Sequence, residues 1–366
     1  MKIGIVSDAW HPQTNGVVKT LTMTVEVLQR MGHEVLVCEP GAFRTVPCPT
    51  YPEIQLALLP YRALARRLER FAPDAVHIAT EGPLGTAARR WCLRRRMPFT
   101  TSYHTQFPEY LRARLPIPTR LTYAHLRRFH GAAVRTMVAT ETMQRRLETR
   151  GFTHLARWSR GVDLTLFKPR EREFLSFPRP VWIYMGRVAV EKSIEDFLAL
   201  ELPGTKVIVG DGPARAELEK KYPAAIFTGY KFGEDLAKHV AAADVFVFPS
   251  KTDTFGLVLL EAMACGVPIA AYPVTGPIDV IKSGVTGVLD ADLRTAALGA
   301  LKLSREVCRE QALAFTWEAA TRQFLHNLAP LTARAAVEIR VSSKDQDAEL
   351  TVYRNEVRGT ERLLDA

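Results

Sequence analysis

The sequence is poor in cysteine and has no long apolar run. Its five cysteines are scattered over 366 residues without a CxxC pair, which argues against a disulfide scaffold and against a cysteine-based metal site. No stretch of about 18 consecutive apolar residues occurs, so no membrane-spanning helix is expected. The opening apolar run of MKIGIVSDAW is too short for the core of a signal peptide. We therefore expect a cytoplasmic protein in a reducing compartment.

Lysine is absent from a long internal segment that is nevertheless strongly basic. Residues 62–160 contain 20 arginines, no lysine and only 6 acidic residues, an excess of 14 positive charges. Because the whole chain carries a net charge of +10, the remainder carries −4. A one-sided basic field attracts nucleic acid, anionic lipid headgroups or phosphorylated substrates. The alternative is a solvated arginine-rich surface without a partner.

The sequence does contain a regular alternation of apolar strands and helical stretches. In the first part, strands are predicted over 2–7, 34–38, 75–78, 99–102 and 136–139, with helical stretches between them. These strands are continuous apolar runs, as expected for parallel strands that are buried on both faces. The alternation predicts a doubly wound α/β domain over residues 1–165.

A second alternation follows a proline-containing linker at 161–180. Strands over 181–185, 206–209, 225–227, 245–248 and 268–271 predict a second doubly wound domain over 166–315. A helix over 316–331 is expected to cross back to the first domain, and the polar tail over 332–366 is expected to be poorly ordered or loosely docked. The predicted fold class is α/β, with two Rossmann-like domains facing across a cleft that binds ligands at the carboxyl ends of the strands.

Two loops of the second domain join strand ends to helix starts. Arg187 and Lys192 follow the strand over 181–185 in the stretch GRVAVEK, and two cations at a helix N-terminus favour an anion. The next loop, GDGP, places Asp211 and Gly212 at a similar junction, and its glycines allow close approach of the backbone. This pattern predicts a clamp for a diphosphate that needs no metal. Two solvated cations beside a plain turn are the alternative.

The first domain offers a separate set of residues at its strand ends. Gly16, in NGVV, lies at a strand–loop–helix junction where a phosphate could approach the helix. His104 ends a strand in SYHTQ, where its side chain is expected to face the cleft. His11, in the first loop, is the alternative candidate for a histidine in the cleft. Asp8 and Glu81 also follow strands and are expected to point into the cleft on the acceptor side. No GxGxxG motif with the required acidic residue is present, which disfavours a nicotinamide-dependent dehydrogenase.

The stretch FPSKTDTFGLVLLEA carries two carboxylates, Asp253 and Glu261, eight positions apart. In one continuous helix they would be about 12 Å apart, beyond the roughly 5–9.5 Å that the acid pair of a glycoside hydrolase needs. With Asp253 in a loop and Glu261 on a helix, the two groups suit two parts of one extended ligand. The candidate backbone donors at the start of this helix belong to Thr254, Phe255, Gly256 and Leu257.

Taken together, these motifs resemble those of the retaining GT-B glycosyltransferases of family 4. The resemblance covers residues 1–331 and is most specific over 181–287. It implies that Glu261 binds the ribose of a donor nucleotide, that Arg187 and Lys192 bind its diphosphate, and that His104 lies near the transferred sugar. No cofactor and no metal are required by this resemblance.

Two positions depart from the family pattern. Where the family has two glutamates separated by seven residues, the first position here is Asp253, one methylene shorter; by resemblance it reaches the donor sugar. In the family's Gly–Gly loop the second glycine is Gly16, whereas Asn15 replaces the first. These departures bear on the choice of sugar and on how closely the donor phosphate packs against the loop.

Three further stretches resemble bacterial members of the family that glycosylate lipids such as diacylglycerol and phosphatidylinositol. They are EGPLG (81–85), SYHTQFPEY (102–110) and SRGVD (159–163). The resemblance implies transfer of a hexose from a nucleotide diphosphate sugar to a membrane lipid at the inner face of the membrane. The segment 121–134 is expected to present an amphipathic basic surface to an anionic leaflet, although an ordinary packed helix is the alternative.

Two other functions compete with this interpretation. A transferase that builds envelope polysaccharide or phosphatidylinositol mannosides would share the same motifs. A basic nucleic-acid-binding protein would use the segment 62–160 but would have no use for GRVAVEK or for the two carboxylates, so no nucleic-acid partner is expected. The nucleotide base, the hexose, the acceptor lipid and the oligomeric state stay open.

Overall fold

The structure, a computed structural model, describes residues 1–13, 15–48, 51–114 and 118–329. The tail predicted over 332–366 lies outside the described residues, as does the end of the helix predicted over 316–331.

The first part of the chain forms a parallel six-stranded sheet with the strand order β2-β1-β5-β6-β7-β8. Its strands are β1 Lys2–Val6, β2 Glu34–Cys38, β5 Ala75–Ile78, β6 Phe99–Tyr103, β7 Arg135–Val138 and β8 Leu155–Arg157, while β3 Thr45–Cys48 and β4 Tyr51–Ala57 form a separate antiparallel pair. Its helices are α1 Gly16–Arg30, α2 Tyr61–Phe71, α3 Pro83–Arg94, α4 Phe107–Arg114, α5 Thr119–His130 and α6 Glu141–Glu148.

The second part repeats this architecture with the strand order β11-β10-β9-β12-β13-β14. Its strands are β9 Val181–Met185, β10 Thr205–Val209, β11 Ile226–Gly229, β12 Val245–Phe248, β13 Ile269–Ala271 and β14 Gly287–Leu289. Its helices are α7 Ile194–Leu198, α8 Arg215–Lys221, α9 Gly233–Ala242, α10 Leu257–Ala264, α11 Pro277–Val280, α12 Leu293–Ala300 and α13 Arg305–Ala312. The predicted pair of doubly wound α/β sheets is confirmed.

In both sheets the strand order reverses at the first strand. Strand β1 lies between β2 and β5, and strand β9 lies between β10 and β12. Ligands of open parallel sheets bind beyond the carboxyl ends of the strands at such switch points. The loops that follow β1 and β9 are therefore the places where this fold offers a site.

The second sheet shows why the strand sequences are apolar throughout. Ile183, Val207 and Phe246 pack in one buried cluster, whereas Trp182 and Tyr184 pack in another. Because successive side chains of a strand point to opposite faces, these two clusters lie on opposite faces of the sheet. Both faces are covered by helices, as parallel sheets require.

The last described helix, α14 Trp317–Asn327, packs against the first sheet. Phe324 belongs to the same buried cluster as Ile3 and Ile5 of β1. Asn327 donates a hydrogen bond of 2.7 Å to the carbonyl of Arg157. The chain therefore crosses between the two sheets twice, once near residues 158–180 and once near 313–316. The domain limits at 165 and 315 stay predictions.

The expectation for segment 121–134 is wrong for most of its apolar residues. Among the large apolar side chains of helix α5, Tyr123, Leu126 and Phe129 are buried, and Leu121 is exposed, at 59%. Tyr123 and Leu126 pack with Val138 and Tyr103 of the sheet. The apolar stripe of this helix faces the protein core, so it is not available to a membrane.

Candidate active site

Two glycine-containing loops lie against each other at the carboxyl end of the second sheet. A side chain at Gly210 would place its Cβ 1.9 Å from the carbonyl oxygen of Gly186, and one at Gly212 would lie 2.4 Å from that of Val188. The N–H of Val188 donates a hydrogen bond of 2.8 Å to the carbonyl of Asp211. Only glycine permits this close approach, so GRVAVEK and GDGP form one rigid backbone platform.

Two of the predicted donor-binding residues, Lys192 and Asp253, form an ion pair at this platform. Lys192 Nζ lies 2.7 and 2.9 Å from the two carboxylate oxygens of Asp253, and both side chains are about one-fifth exposed. Arg187 is half-buried just beyond β9. Asp211 instead accepts a hydrogen bond of 2.7 Å from Arg215. Lys192 and Asp253 are thus brought together, whereas Asp211 binds a neighbouring residue of its own loop and helix.

The loop over 250–256 also contacts the first domain. Thr254 Oγ1 donates a hydrogen bond of 2.7 Å to the carbonyl of His104, and Gln106 Nε2 donates one of 3.1 Å to the carbonyl of Thr252. Arg146 NH1 holds Gln106 Oε1 at 2.6 Å. The segment that carries His104 is therefore fixed against the loop that carries Asp253.

The His104 imidazole has a defined tautomer. Arg160 donates its NH2 to His104 Nδ1 at 3.2 Å. Because a guanidinium can only donate, Nδ1 must accept, and the proton of the neutral ring then resides on Nε2. Nε2 is buried without a hydrogen-bond partner among the described residues. Burial, helped by the charge of Arg160, holds the pKa of His104 well below its usual value, so the ring is a neutral donor.

The Arg160 side chain is itself buried, with 5% of the residue exposed. It donates to the carbonyls of Trp158 and Ser159 at 2.6 and 3.0 Å, and its guanidinium lies 4.6 Å from the centre of the Trp158 ring. Burial lowers its pKa to about 9. An arginine fixed in this way orients His104 rather than moving with solvent.

Helices α1 and α10 begin opposite each other across the cleft. A Cβ built on Gly16 would lie 3.5 Å from Leu257 Cδ1, and Gly256 precedes α10 with a φ of +82°. Phe255 is buried beside this turn. Positive helix ends that face each other make the space between them favourable for an anion.

Glu261 lies on α10 and is buried, with 5% of the residue exposed. Its carboxylate accepts a hydrogen bond from Lys19 Nζ of helix α1 in the first domain. Sequence reasoning did not single out Lys19. The only available signal was that a cation follows Gly16 by three positions.

The remaining first-domain candidates have internal partners. The Asp8 carboxylate is buried and accepts from the N–H groups of Leu84 and Gly85 and from Thr80 Oγ1; burial raises its pKa. It therefore holds the start of helix α3 in this structure.

The other two candidates lie nearer the surface. Glu81 contacts His130 Nε2 at 3.1 Å, and the exposed His11 contacts Thr22 Oγ1 at 3.0 Å. The acceptor-side roles of Asp8, Glu81 and His11 stay predictions.

The comparisons with known proteins fit this arrangement. Residues 14–166 match the family described as Glycosyltransferase Family 4, and residues 179–304 match Glycosyl transferases group 1. A GDP-mannose-dependent alpha-mannosyltransferase of Mycobacterium tuberculosis is 32% identical over 315 residues, which are 79% of this chain and 83% of that protein. The chain belongs to glycosyltransferase family 4.

This family 4 glycosyltransferase is similar to further enzymes. The sulfoquinovosyl transferase of Arabidopsis thaliana is 32% identical over 341 residues, 81% of this chain and 67% of that protein. The alpha-monoglucosyldiacylglycerol synthase of Acholeplasma laidlawii is 26% identical over 322 residues, 74% and 79% of the two chains. The sucrose-phosphate synthase structure from Thermosynechococcus elongatus has a TM-score of 0.70 at 21% identity, covering 89% of this chain and 97% of that one. The predicted GT-B fold is confirmed.

The described residues contain neither a cluster of metal ligands nor a helix that could span a membrane. No group of three or more histidine, cysteine, aspartate or glutamate side chains in the described ranges is arranged to hold a metal ion. Within the same ranges, no helix of this glycosyltransferase has the length and apolar character needed to cross a bilayer.

Proposed function

We propose that this glycosyltransferase moves a hexose from a nucleotide diphosphate sugar to a hydroxyl of a membrane lipid, with retention of the anomeric configuration. The observation that carries the proposal is that the loop over 250–256 joins the candidate residues: its Asp253 pairs with Lys192, and its Thr254 donates a hydrogen bond to the His104 carbonyl. The same loop leads into α10, which carries Glu261. A single extended donor can engage all of them. The names of the relatives, which include a GDP-mannose-dependent enzyme, support a nucleotide sugar as donor.

In the proposed donor complex, Glu261 accepts the ribose hydroxyls, because a carboxylate is a strong acceptor. Arg187 and Lys192 bind the diphosphate, on which negative charge develops as the glycosidic bond breaks. Stabilising charge that appears in the transition state is the largest contribution such groups make to the rate. Asp253 and the N–H groups at the start of α10 hold the donor sugar.

The state of His104 limits its role in this mechanism. Its Nε2 carries the proton and its Nδ1 is held by Arg160, so neither nitrogen can accept a proton from the acceptor hydroxyl. We propose that Nε2–H donates a hydrogen bond to a hydroxyl of the donor sugar and fixes its position. The leaving phosphate then takes the proton of the attacking hydroxyl on the same face of the sugar, which retains the configuration.

For the acceptor we propose diacylglycerol at the cytoplasmic face of the membrane. The name of the Acholeplasma laidlawii relative specifies a monoglucosyldiacylglycerol as the product of that enzyme. The basic segment 62–160 agrees with an anionic leaflet as the surface to which the enzyme binds. An acceptor from envelope polysaccharide would not need this surface.

The proposed membrane-binding surface lies on α2 and α3 rather than on α5. Leu58 and Leu59 are 50% and 95% exposed immediately before α2. Next to them, the guanidinium groups of Arg90 and Arg94 lie 4.9 and 5.5 Å from the centre of the Tyr61 ring. Exposed leucines that emerge among arginines suit insertion between anionic headgroups.

The test of the function is a product analysis. The enzyme is incubated with UDP- and GDP-sugars and diacylglycerol in vesicles, and the lipid product is identified by mass and by its anomeric configuration. A glycosyl-diacylglycerol with the donor's configuration is expected. Transfer to polysaccharide acceptors alone would contradict the lipid proposal.

The membrane surface has its own test. Leu59→Glu should reduce sedimentation with anionic vesicles, whereas Leu313→Glu, which alters another exposed leucine outside the basic segment, should not. Equal binding of both variants and the wild type would contradict the assignment of this surface.

A further inference from the structure

Lys19 forms an ion pair with Glu261, the carboxylate that we assign to the ribose of the donor. Glu261 is buried, and among the described residues Lys19 provides the side-chain hydrogen bond that reaches it. The Lys19 ammonium also lies 5.1 Å from the centre of the Phe167 ring. A buried carboxylate is strongly destabilising unless an opposite charge or hydrogen-bond donors satisfy it. The donor-free cleft therefore uses Lys19 in the place assigned to the ribose hydroxyls.

Two backbone N–H groups at the start of α1 are already hydrogen-bonded to the side chain of Asn15. Asn15 Oδ1 accepts hydrogen bonds of 3.0 Å from the N–H groups of both Val17 and Val18. The first turn of a helix has only four free N–H groups, so this cap removes two that an anion could otherwise use. A glycine at position 15 would leave both free.

Lys19 can replace these donors. It belongs to the turn that begins at Gly16, and helical side chains lean toward the N-terminus of their helix. About 38% of its side chain is exposed, so the ammonium can move without leaving a buried position. Released from Glu261, it would lie beside the helix start where the donor diphosphate is expected.

We propose that Lys19 is a further donor-binding residue that exchanges partners when the donor binds. Without donor, its ammonium neutralises Glu261. With donor, the ribose hydroxyls donate to Glu261 and the Lys19 ammonium moves to the diphosphate. Each charged group has a partner before and after the exchange, so no charge is left buried alone. This inference rests on the proposed assignment of Glu261 and the diphosphate to the donor.

The exchange couples the two halves of the donor nucleotide. A nucleoside can take Glu261 but gives Lys19 no new partner, whereas a nucleoside diphosphate satisfies both. Removal of the ammonium should therefore affect the two ligands in opposite directions.

The experiment measures the Kd of uridine, UDP, guanosine and GDP by calorimetry for the wild type and for Lys19→Met. For the base that the wild type binds, the nucleoside Kd should fall in Lys19→Met because its competitor at Glu261 is gone. The Kd of the diphosphate should rise about tenfold, because one charge-assisted hydrogen bond is lost. Lys19→Gln serves as a second variant, and thermal unfolding checks that both are folded.

Lys2→Met is the matched control. Lys2 also belongs to the first domain, pairs with Glu34 at 3.9 Å and lies 5.7 Å from the centre of the Phe71 ring, but it lies at the opposite end of β1 from the cleft. It should change neither Kd. A parallel change of both ligands in the Lys19 variants, a change of only one, or no change would overturn the exchange. If the wild type bound neither UDP nor GDP, the donor assignment itself would be wrong and this inference would fall with it.

Discussion

The two sides of the cleft present different kinds of polar groups. On the second-domain side, Lys192 pairs with Asp253 within one domain, beside loops that are held backbone to backbone. On the first-domain side, His104 depends on the buried guanidinium of Arg160. The second side is a set of charges on a rigid platform, whereas the first is a neutral donor oriented by a buried cation.

This difference suggests separate roles for the two sides: the second-domain side would bind and stabilise the charged leaving group, and the first-domain side would position the sugar. Charged groups on a preformed platform stabilise charge that develops on the leaving group. A neutral imidazole adds no charge, so the role that we propose for His104 is to position the donor sugar. Variants on the second-domain side should therefore have the larger effects on rate, and variants on the first-domain side should alter pH dependence and stability.

The largest effect is expected for Lys192→Ala. Loss of the cation that we assign to the leaving diphosphate should lower kcat by about 100- to 1000-fold, while the thermal unfolding curve stays close to that of the wild type. Steady-state kinetics with a saturating donor provides the measurement. Lys251→Ala, in the neighbouring loop and paired with Asp196 at 2.6 Å, is the control and should retain activity. Near-normal turnover of Lys192→Ala would remove it from the clamp.

A smaller effect is expected for Asp253→Asn. The variant keeps the size of the side chain but loses its charge, so if Asp253 contacts the donor sugar as proposed, the affinity for the donor should weaken by roughly tenfold. The Kd of the free nucleotide should change much less. Both quantities are measured on the same preparation, and equal losses in the two would place Asp253 outside the sugar pocket.

Sequence reasoning succeeded where the signal is local. The strand ends, the GRVAVEK and GDGP loops and the loop before α10 were predicted because apolar runs and glycines mark them within a few residues. The hairpin of β3 and β4 was missed because Pro47 and Pro52 lie within its strands, where proline is uncommon. Strands β8 and β14, which have 3 residues each and lie at the edges of their sheets, were also missed.

The missed site residues had no local signal. Lys19 and Glu261 are 242 positions apart, and one sequence does not reveal such a contact. Arg160 was one of 20 arginines in the basic segment, and only the fold shows that it is buried beside His104. The periodicity of α5 correctly showed an apolar face, but periodicity does not say whether that face meets a core or a membrane.

The pH dependence tests the first-domain side of the comparison. Burial and the charge of Arg160 hold the pKa of His104 well below its usual value, so the wild type should keep a neutral His104 through mildly acidic pH. In Arg160→Met the nearest cation is gone, and the acidic limb of the kcat profile should move to higher pH. Arg160→Lys, which keeps a charge, should move it less. An unchanged limb in both variants would exclude Arg160 as the residue that sets the state of His104.

The smallest effect, confined to stability, is expected at His77. This imidazole is fully buried, contacts Thr100 Oγ1 and Ser102 Oγ at 2.9 Å each, and has a pKa lowered to about 3 by burial. The unfolded chain binds a proton at His77 near pH 6.5, whereas the folded chain does not. The contribution of His77 to the free energy of unfolding should therefore be fully present above that pH and should be lost as the pH falls toward 3. Chemical denaturation between pH 4 and 7 should show the unfolding free energy rising with pH. His77→Gln should flatten this slope, whereas His326→Gln, at an exposed histidine of α14, should leave it unchanged; identical slopes in all three proteins would show that His77 is not the group responsible.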